Sequence, residues 1–359
     1  MVKDNKIPFE IAVRLQGFIN LGIQKEQLMS VVVQAADQAK PGTDEWVRAL
    51  LTSADRIAED TQDNEADWLN LSFWYFLARF PHCFNESMKS AYAKHKDAYL
   101  KACAFSPYPI EKVKIPLAGL EFDTYLRKPQ QGKDPFALAI IWGGIDIWKS
   151  DLQIHQIGNL LLEKGIAVLA VDSPGTGDCP IPISAFAETW FTSILEQMKN
   201  RSDIDSNKIA CYGLSFGGYW ATKLALQHPW LAGVVNVGGP VHSTFDADWI
   251  KRLPDATYDT LAYACGFNDP TNAFLAYCPE LSLSKQSLLP AKENAPLLVI
   301  NGAKDNLVQI AEIEYLSKQV TNIDTLVFSE DRHVASKNWQ LHSQFAVNWL
   351  TEKLKLRCY

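Results

Sequence analysis

The chain has 359 residues, of which 47% are hydrophobic, 21% charged and 11% aromatic, a balance that excludes disorder, collagen-like repeats and coiled coil and predicts a folded protein with a substantial core. Its 41 acidic and 34 basic side chains leave a formal charge of −7 with no Lys/Arg-rich run, so no nucleic-acid partner is expected. Apolar runs such as Phe136 to Trp142 are less than half the ~18 residues of a membrane span. The opening Met1-Val2-Lys3-Asp4-Asn5-Lys6 is no signal-peptide core, so a cytoplasmic protein without a membrane partner is expected.

Residues 1–106 read as successive helices. Ile11, Leu15, Phe18, Ile19 and Ile23 recur at helical spacing, and Trp46, Leu50, Leu51 and Ile57 follow in a second periodic stretch. A third segment, from Asp67 to Leu77, is so aromatic that it must be buried on most sides, and it ends before Pro81. A helical cap or lid is expected here, with a homodimer interface as the alternative role.

From Pro107 the pattern changes. Val113 to Leu117, a turn at Ala118-Gly119, and the alternating Leu120 to Leu126 read as a hairpin. Short apolar runs follow at Ala137 to Trp142, Ile166 to Val171, Ile209 to Tyr212, Val234 to Val237, Leu297 to Ile300 and Thr325 to Phe328. Helical patterns separate them at Leu152 to Lys164, Phe186 to Lys199, Tyr219 to Gln227, Ile310 to Lys318 and Asn338 to Lys355. Continuous apolar strands alternating with helices predict an α/β fold, a mostly parallel sheet covered on both faces. Residues 107–359 thus form the expected catalytic domain. Its segment 240–292 is too long for a plain crossover and predicts a helical insertion near the mouth of the site. The seven cysteines, Cys83, Cys103, Cys179, Cys211, Cys265, Cys278 and Cys358, include no C-x-x-C pair and read as reduced, mostly buried thiols, with no metal site expected.

The chemistry begins where the strand Ile209 to Tyr212 runs into Gly213-Leu214-Ser215-Phe216-Gly217-Gly218 and then a helix. This is G-x-S-x-G in its strand-turn-helix setting. The turn is so tight that side chains at positions 213 and 217 would collide, and it presents the Ser215 hydroxyl at a helix N-terminus, where the Phe216 N–H can hold an oxyanion. A serine alcohol needs a histidine base, and that base needs a carboxylate. Asp305 follows the strand Leu297 to Ile300, and His333 follows the next. Asp331 is a rival acid, but two residues before His333 it could not easily reach the far ring nitrogen. The second oxyanion donor is expected from the paired-glycine loop after Trp142, at the Gly144 or Ile145 amide. His242, in the loop after the strand following the elbow, could line the pocket. Trp142 and Trp148, beside the oxyanion loop, suggest a bulky substrate. The glycine-rich loop Ser173 to Asp178 lacks G-x-G-x-x-G spacing, which argues against nucleotide binding.

The succession Trp142-Gly143-Gly144-Ile145-Asp146, Asp172-Ser173-Pro174-Gly175-Thr176-Gly177, the elbow at Ser215 and Gly239-Pro240-Val241-His242 resembles the α/β-hydrolase family that includes the fermentation-respiration switch protein and 2,6-dihydroxypseudooxynicotine hydrolase. Fungal polyketide-shortening hydrolases belong to the same circle. The resemblance covers residue 107 to the end, and the helical N-terminus agrees with the cap of these proteins. It implies a triad falling on Ser215, Asp305 and His333. Some members cleave a carbon–carbon bond in a β-diketone-like substrate and others are esterases; switch-protein members can lack the elbow serine. By the same resemblance Asp246 and Asp248 lie in the loop that carries a substrate-contacting acid in the pseudooxynicotine enzyme.

The expected function is therefore a cofactor-free serine hydrolase of a small-molecule carbonyl substrate, a ketone, diketone-like or polyketide-like compound cleaved at a C–C bond, or its ester. A carboxylesterase or thioesterase of small esters is the alternative. From another class, so is a non-catalytic regulatory or binding protein on a hydrolase fold.

Overall fold

The computed structural model describes residues 7–356 except 13, 41, 118, 133, 180 and 269–271. The opening hexapeptide and Cys358, both read above, lie outside the described residues. The chain divides into two compact units, Met1–Ile110 with Ser150–Gln156, and Glu111–Lys149 with Ile157–Tyr359.

The first unit is helical, with its longer helices at Lys25–Gln38, Asp44–Asp60, Glu65–Arg79 and Glu86–Ala104. Three of these begin where the sequence supplies a side-chain acceptor for an unpaired backbone N–H. The Trp46 N–H donates to Thr43 Oγ1 at 3.3 Å, that of Asp67 to Asn64 Oδ1 at 2.9 Å, and that of Met88 to Asn85 Oδ1 at 2.9 Å. Acidic residues in each first turn complement the helix dipole. Helix Glu65–Arg79 buries every side chain from Leu71 to Arg79, as its aromatic run requires. Phe18 meets Phe73 edge-on, with ring centroids 5.2 Å apart. Segment Ser150–Gln156 groups with this unit because buried Asp151 pairs with Arg79 at 2.5 Å and with His95 Nε2 at 2.9 Å. Reading contiguous segments could not assign it there.

In the second unit the described residues form one eight-stranded sheet. In chain order the strands are β1 Glu111–Leu117, β2 Leu120–Arg127, β3 Phe136–Trp142, β4 Ala167–Ala170, β5 Ile204–Leu214, β6 Gly233–Val237, β7 Leu297–Gly302 and β8 Ile323–Phe328. Their spatial order is β1-β2-β4-β3-β5-β6-β7-β8. β2 is antiparallel to both β1 and β4, and the remaining neighbours are parallel. Strands β4, β6 and β7 are buried throughout, whereas edge strand β8 mixes exposed and half-buried positions, as sheet centre and edge demand.

Several boundaries differ from expectation; the helix read from Phe186, for one, starts at Thr189. β5 starts at Ile204, pairing there with Phe136 across a bulge, although the polar stretch Asp205 to Lys208 has no apolar pattern. The helix after the elbow starts at Phe216, earlier than its apolar periodicity indicated, because Gly217 and Gly218 carry no periodicity signal. Between β6 and β7 lie short helices at Ala247–Ile250, Asp255–Ala264 and Asn272–Tyr277 and 3-10 turns at Ser243–Phe245 and Cys278–Leu281. Phe245 packs edge-on against Phe216 and Tyr219 at 6.1 and 5.4 Å, which ties this segment to the elbow helix. Among the described residues no helix is long and apolar enough to cross a membrane, and no disulfide joins the described cysteines.

Candidate active site

The parallel register places Trp142 opposite Gly213, Leu214 opposite Val237 and Val237 opposite Ile300. The loops that follow β3, β5, β6 and β7 therefore leave the sheet side by side at its carboxyl edge, where open α/β sheets bind ligands. Ser215 stands at the sharpest of these exits, with φ 52° and ψ −129°. A non-glycine residue held there is strained, and two close approaches maintain the turn. A Cβ on Gly213 would come within 2.2 Å of the Gly217 carbonyl oxygen, and one on Gly217 within 2.4 Å of the Gly143 carbonyl oxygen. The Trp142 indole N–H donates to the Gly217 carbonyl at 2.8 Å, fastening the β3 loop to the elbow.

Ser215 Oγ lies 2.8 Å from His333 Nε2, and His333 Nδ1 lies 2.7 Å from Asp305 Oδ2. A carboxylate can only accept, so Nδ1 carries the proton toward Asp305 and Nε2 is left to accept from the serine hydroxyl. Asp305 Oδ1 accepts from the Leu307 and Val308 N–H groups at 2.8 and 3.1 Å, and Oδ2 also accepts from the Asn301 amide at 2.8 Å. Burial pushes the Asp305 carboxyl up, but the adjacent imidazole and these donors outweigh it and hold the group below the usual carboxylate range. Asp331 is fully buried elsewhere, accepting from the backbone N–H groups of Arg332, Lys337 and Asn338. It shapes the histidine loop and does not meet the imidazole's Nδ1.

Phe216 opens the helix Phe216–Gln227, so its N–H has no intrahelical carbonyl to bond and sits at the positive end of the helix dipole. Gly144 faces it: a Cβ there would lie 3.0 Å from Ser215 Oγ and 3.1 Å from the Phe216 nitrogen. The Ile145 side chain is buried in the unit's core, and its carbonyl accepts from the buried Trp148 indole at 3.2 Å. Trp148 thus braces the loop. Lys149, next along, is also buried: its N–H donates to Asp172 Oδ1 at 2.9 Å, and its Nζ reaches Asp172 at 2.5 Å and Asp178 at 2.7 Å. Burial lowers this ammonium's pKa, yet the two carboxylates raise it above the ordinary lysine value. The glycine-rich loop 173–178 is thereby tied to the loop that carries Gly144.

The remaining anticipated residues have other settings. His242 stacks on Tyr315 at 4.4 Å, and its Nδ1 meets Ser282 Oγ at 2.9 Å. Asp246 and Asp248 are both exposed, Asp246 accepting through its carbonyl from Trp249 and Ile250, Asp248 at 86% exposure beside Lys251. Among the described residues no hydrogen bond brings these three to Ser215 or His333.

Sequence reasoning missed two buried polar anchors. Glu312 accepts from the Val241, His242 and Thr244 N–H groups and the Ser243 hydroxyl at 2.6 to 2.8 Å, fixing the loop after β6. Asn301 holds Asp305 from the end of β7; its signal is a lone amide closing an apolar run. Among the described residues no group of three or more His, Cys, Asp or Glu side chains is arranged to hold a metal ion.

A mostly parallel sheet with its sharp serine turn after β5, an aspartate after β7 and a histidine after β8 is an α/β-hydrolase fold. A family model described as Esterase FrsA-like matches residues 25–355, and the chain belongs to that family. Esterase FrsA of Yersinia pestis is 28% identical over 267 residues, 71% of this chain and 63% of the relative, so the chain spans less than two thirds of that relative's length. Among solved structures, 2,6-dihydroxy-pseudo-oxynicotine hydrolase superposes with a TM-score of 0.77 at 20% identity over 94% of this chain and 95% of its own. AbyA5 does so with a TM-score of 0.78 at 20% identity over 95% of each chain. These similarities carry the fold.

Proposed function

We propose that the protein is a serine hydrolase of an ester or related carbonyl compound, with Ser215 as nucleophile, His333 as general base and then acid, and Asp305 as the group that orients His333. One observation carries this reading: Ser215 and Asp305 meet opposite nitrogens of one imidazole, at 2.8 and 2.7 Å. His333 Nε2 takes the Ser215 proton as Oγ attacks the carbonyl carbon, and Asp305 steadies the imidazolium that results. The oxyanion meets the Phe216 N–H and an amide of the Gly144-Ile145 pair; in such sites removal of one donor costs about 3 kcal/mol of transition-state stabilisation. His333 then returns the proton to the leaving group, and water attacks the acyl-enzyme with His333 as base. The family's description supports an ester as substrate. Cleavage of a β-diketone would use the same first step but expel an enolate in place of an alkoxide.

A fluorophosphonate probe and a panel of p-nitrophenyl esters and aryl β-diketones test the reading. Labelling and turnover that vanish in Ser215→Ala are expected. Labelling that persists in Ser215→Ala would remove Ser215 as nucleophile, and absence of labelling in the unaltered protein would favour a binding role.

A further inference from the structure

Asp305 and His333 belong to different loops, and the buried side chain of Asn301 bonds to both loops. Asn301 is 1% exposed. Its Nδ2 donates at 2.8 Å to Asp305 Oδ2, the oxygen that also accepts from His333 Nδ1. Its Oδ1 accepts at 3.0 Å from the backbone N–H of Val334, the residue after the histidine. A flipped amide would set two donors against each other at Val334 and two acceptors at Asp305, so only one orientation satisfies both ends. Val334 and Ala335 have φ of 53° and 48°, a left-handed backbone that a β-branched residue seldom adopts. The histidine loop therefore needs an external hold, and Asn301 provides it.

We propose that Asn301 is a positioning residue that fixes the acid and the base of this site to each other, an inference that rests on the hydrolase reading above. The amide carries two duties at once. Its acceptor end sets the path of the chain leaving His333 and so the direction of the imidazole. Its donor end occupies one lone pair of Asp305 Oδ2, which sets the plane of the carboxylate and divides its pull between amide and imidazole. No other common side chain of this size does both, since an ionised aspartate cannot donate, serine is too short, and leucine has no polar atom. The titratable groups around the bridge are Asp305 and His333 themselves, Glu312 from the helix Ala311–Gln319, and Asp331 in the histidine loop. Glu312 and Asp331 are saturated by backbone and side-chain donors. Lys304 and Glu330 pair with each other at the surface.

The test compares Asn301→Leu, which removes both ends, with Asn301→Asp, which keeps the size and the acceptor and replaces the amide donor by a carboxyl group that shares a proton with Asp305. The first readout is the 15N-histidine NMR titration of His333, recognised as the signal missing in His333→Gln; the second is the rate of fluorophosphonate labelling. With the amide donor gone in Asn301→Leu, Asp305 holds the imidazolium more strongly and the His333 titration moves to higher pH; in Asn301→Asp the two buried carboxyl groups in contact share one proton, the new carboxyl donates to Asp305 as the amide did, and the shift is smaller. Labelling at neutral pH slows about 10- to 100-fold, as loss of a hydrogen bond to a charged group implies, in protein that thermal unfolding shows to be folded. The proposal is overturned if both variants titrate as the unaltered protein does, or if labelling falls only in proportion to the unfolded fraction. The NMR readout needs no turnover. A shifted titration without any Ser215-dependent labelling would therefore sink the hydrolase reading and leave Asn301 in its place.

Discussion

Among the described residues, a grouping of serine, histidine and aspartate in the helical unit contrasts with the one proposed for chemistry in the sheet unit. In the helical unit, Ser150 Oγ and Asp151 Oδ1 both approach His95 Nε2, at 3.0 and 2.9 Å, while Nδ1 donates to the Ser72 carbonyl at 2.8 Å. Asp151 is also held by Arg79 at 2.5 Å, and Ser150, Asp151, His95 and Arg79 are all about 0% exposed. A nitrogen that faces a carboxylate is no base for a serine, and the opposite nitrogen is bound to a backbone oxygen. In the sheet unit the serine and the carboxylate take opposite nitrogens, and the His333 side chain keeps 19% of its surface open. The residue types are the same. Which ring nitrogen each partner meets, and whether the ring is accessible, separates a structural clasp from the proposed proton relay.

The largest expected effect tests that separation directly. Ser215→Ala should lower probe labelling or turnover by about four orders of magnitude or more, as loss of a triad nucleophile does, whereas Ser150→Ala should label as the unaltered protein does. Comparable losses in the two variants would break the comparison. Next, Arg79→Met leaves Asp151 buried without its guanidinium, and breaking such a pair costs about 3 to 5 kcal/mol. A urea unfolding curve would show it, and an unchanged midpoint would mean that the clasp contributes nothing to stability.

A third histidine sharpens the contrast. His342 is wholly buried beside the rings of Trp339 and Phe328, and burial pushes its imidazole down to about 4 despite the pull of Asp331. An unfolded histidine titrates near ~6.5, so between these values the unfolded chain binds more protons. Stability should therefore fall as pH drops from about 6.5 to 4, by up to about 3 kcal/mol from this one group. Denaturant midpoints of His342→Leu should fall less steeply over the same window; parallel curves would contradict the assignment. The smallest effect is expected at the exposed carboxylates, where Asp246→Ala and Asp248→Asn should leave melting temperature and labelling unchanged. A loss of turnover on one substrate alone would return them to the site.

Legibility from sequence followed how local each feature was. The elbow could be read because Gly213, Ser215 and Gly217 sit between an apolar strand and a helix within a dozen residues, and Asp305 and His333 because each follows a late apolar run. Glu312 was not legible, since its partners lie about 70 positions away along the chain; Asn301 has one near partner, Asp305, but its other, Val334, lies 33 positions on, and a polar residue in an apolar setting does not name its partner. Segment Ser150–Gln156 was opaque for the same reason, its membership in the helical unit being decided by Arg79 and His95. The resemblance that singled out Asp246 and Asp248 conveyed a loop, and in the structure both side chains are exposed.

The sequence alone determined the alternation of strands and helices, the tight serine turn and the order of the residues that can form a relay, because these depend on local periodicity, glycine sterics and chain order. The tertiary structure decided which serine, histidine and aspartate meet, on which ring nitrogen, and how the acid and base loops are tied. Those outcomes depend on contacts between distant segments packed at hydrogen-bond distance, and local pattern does not encode such contacts.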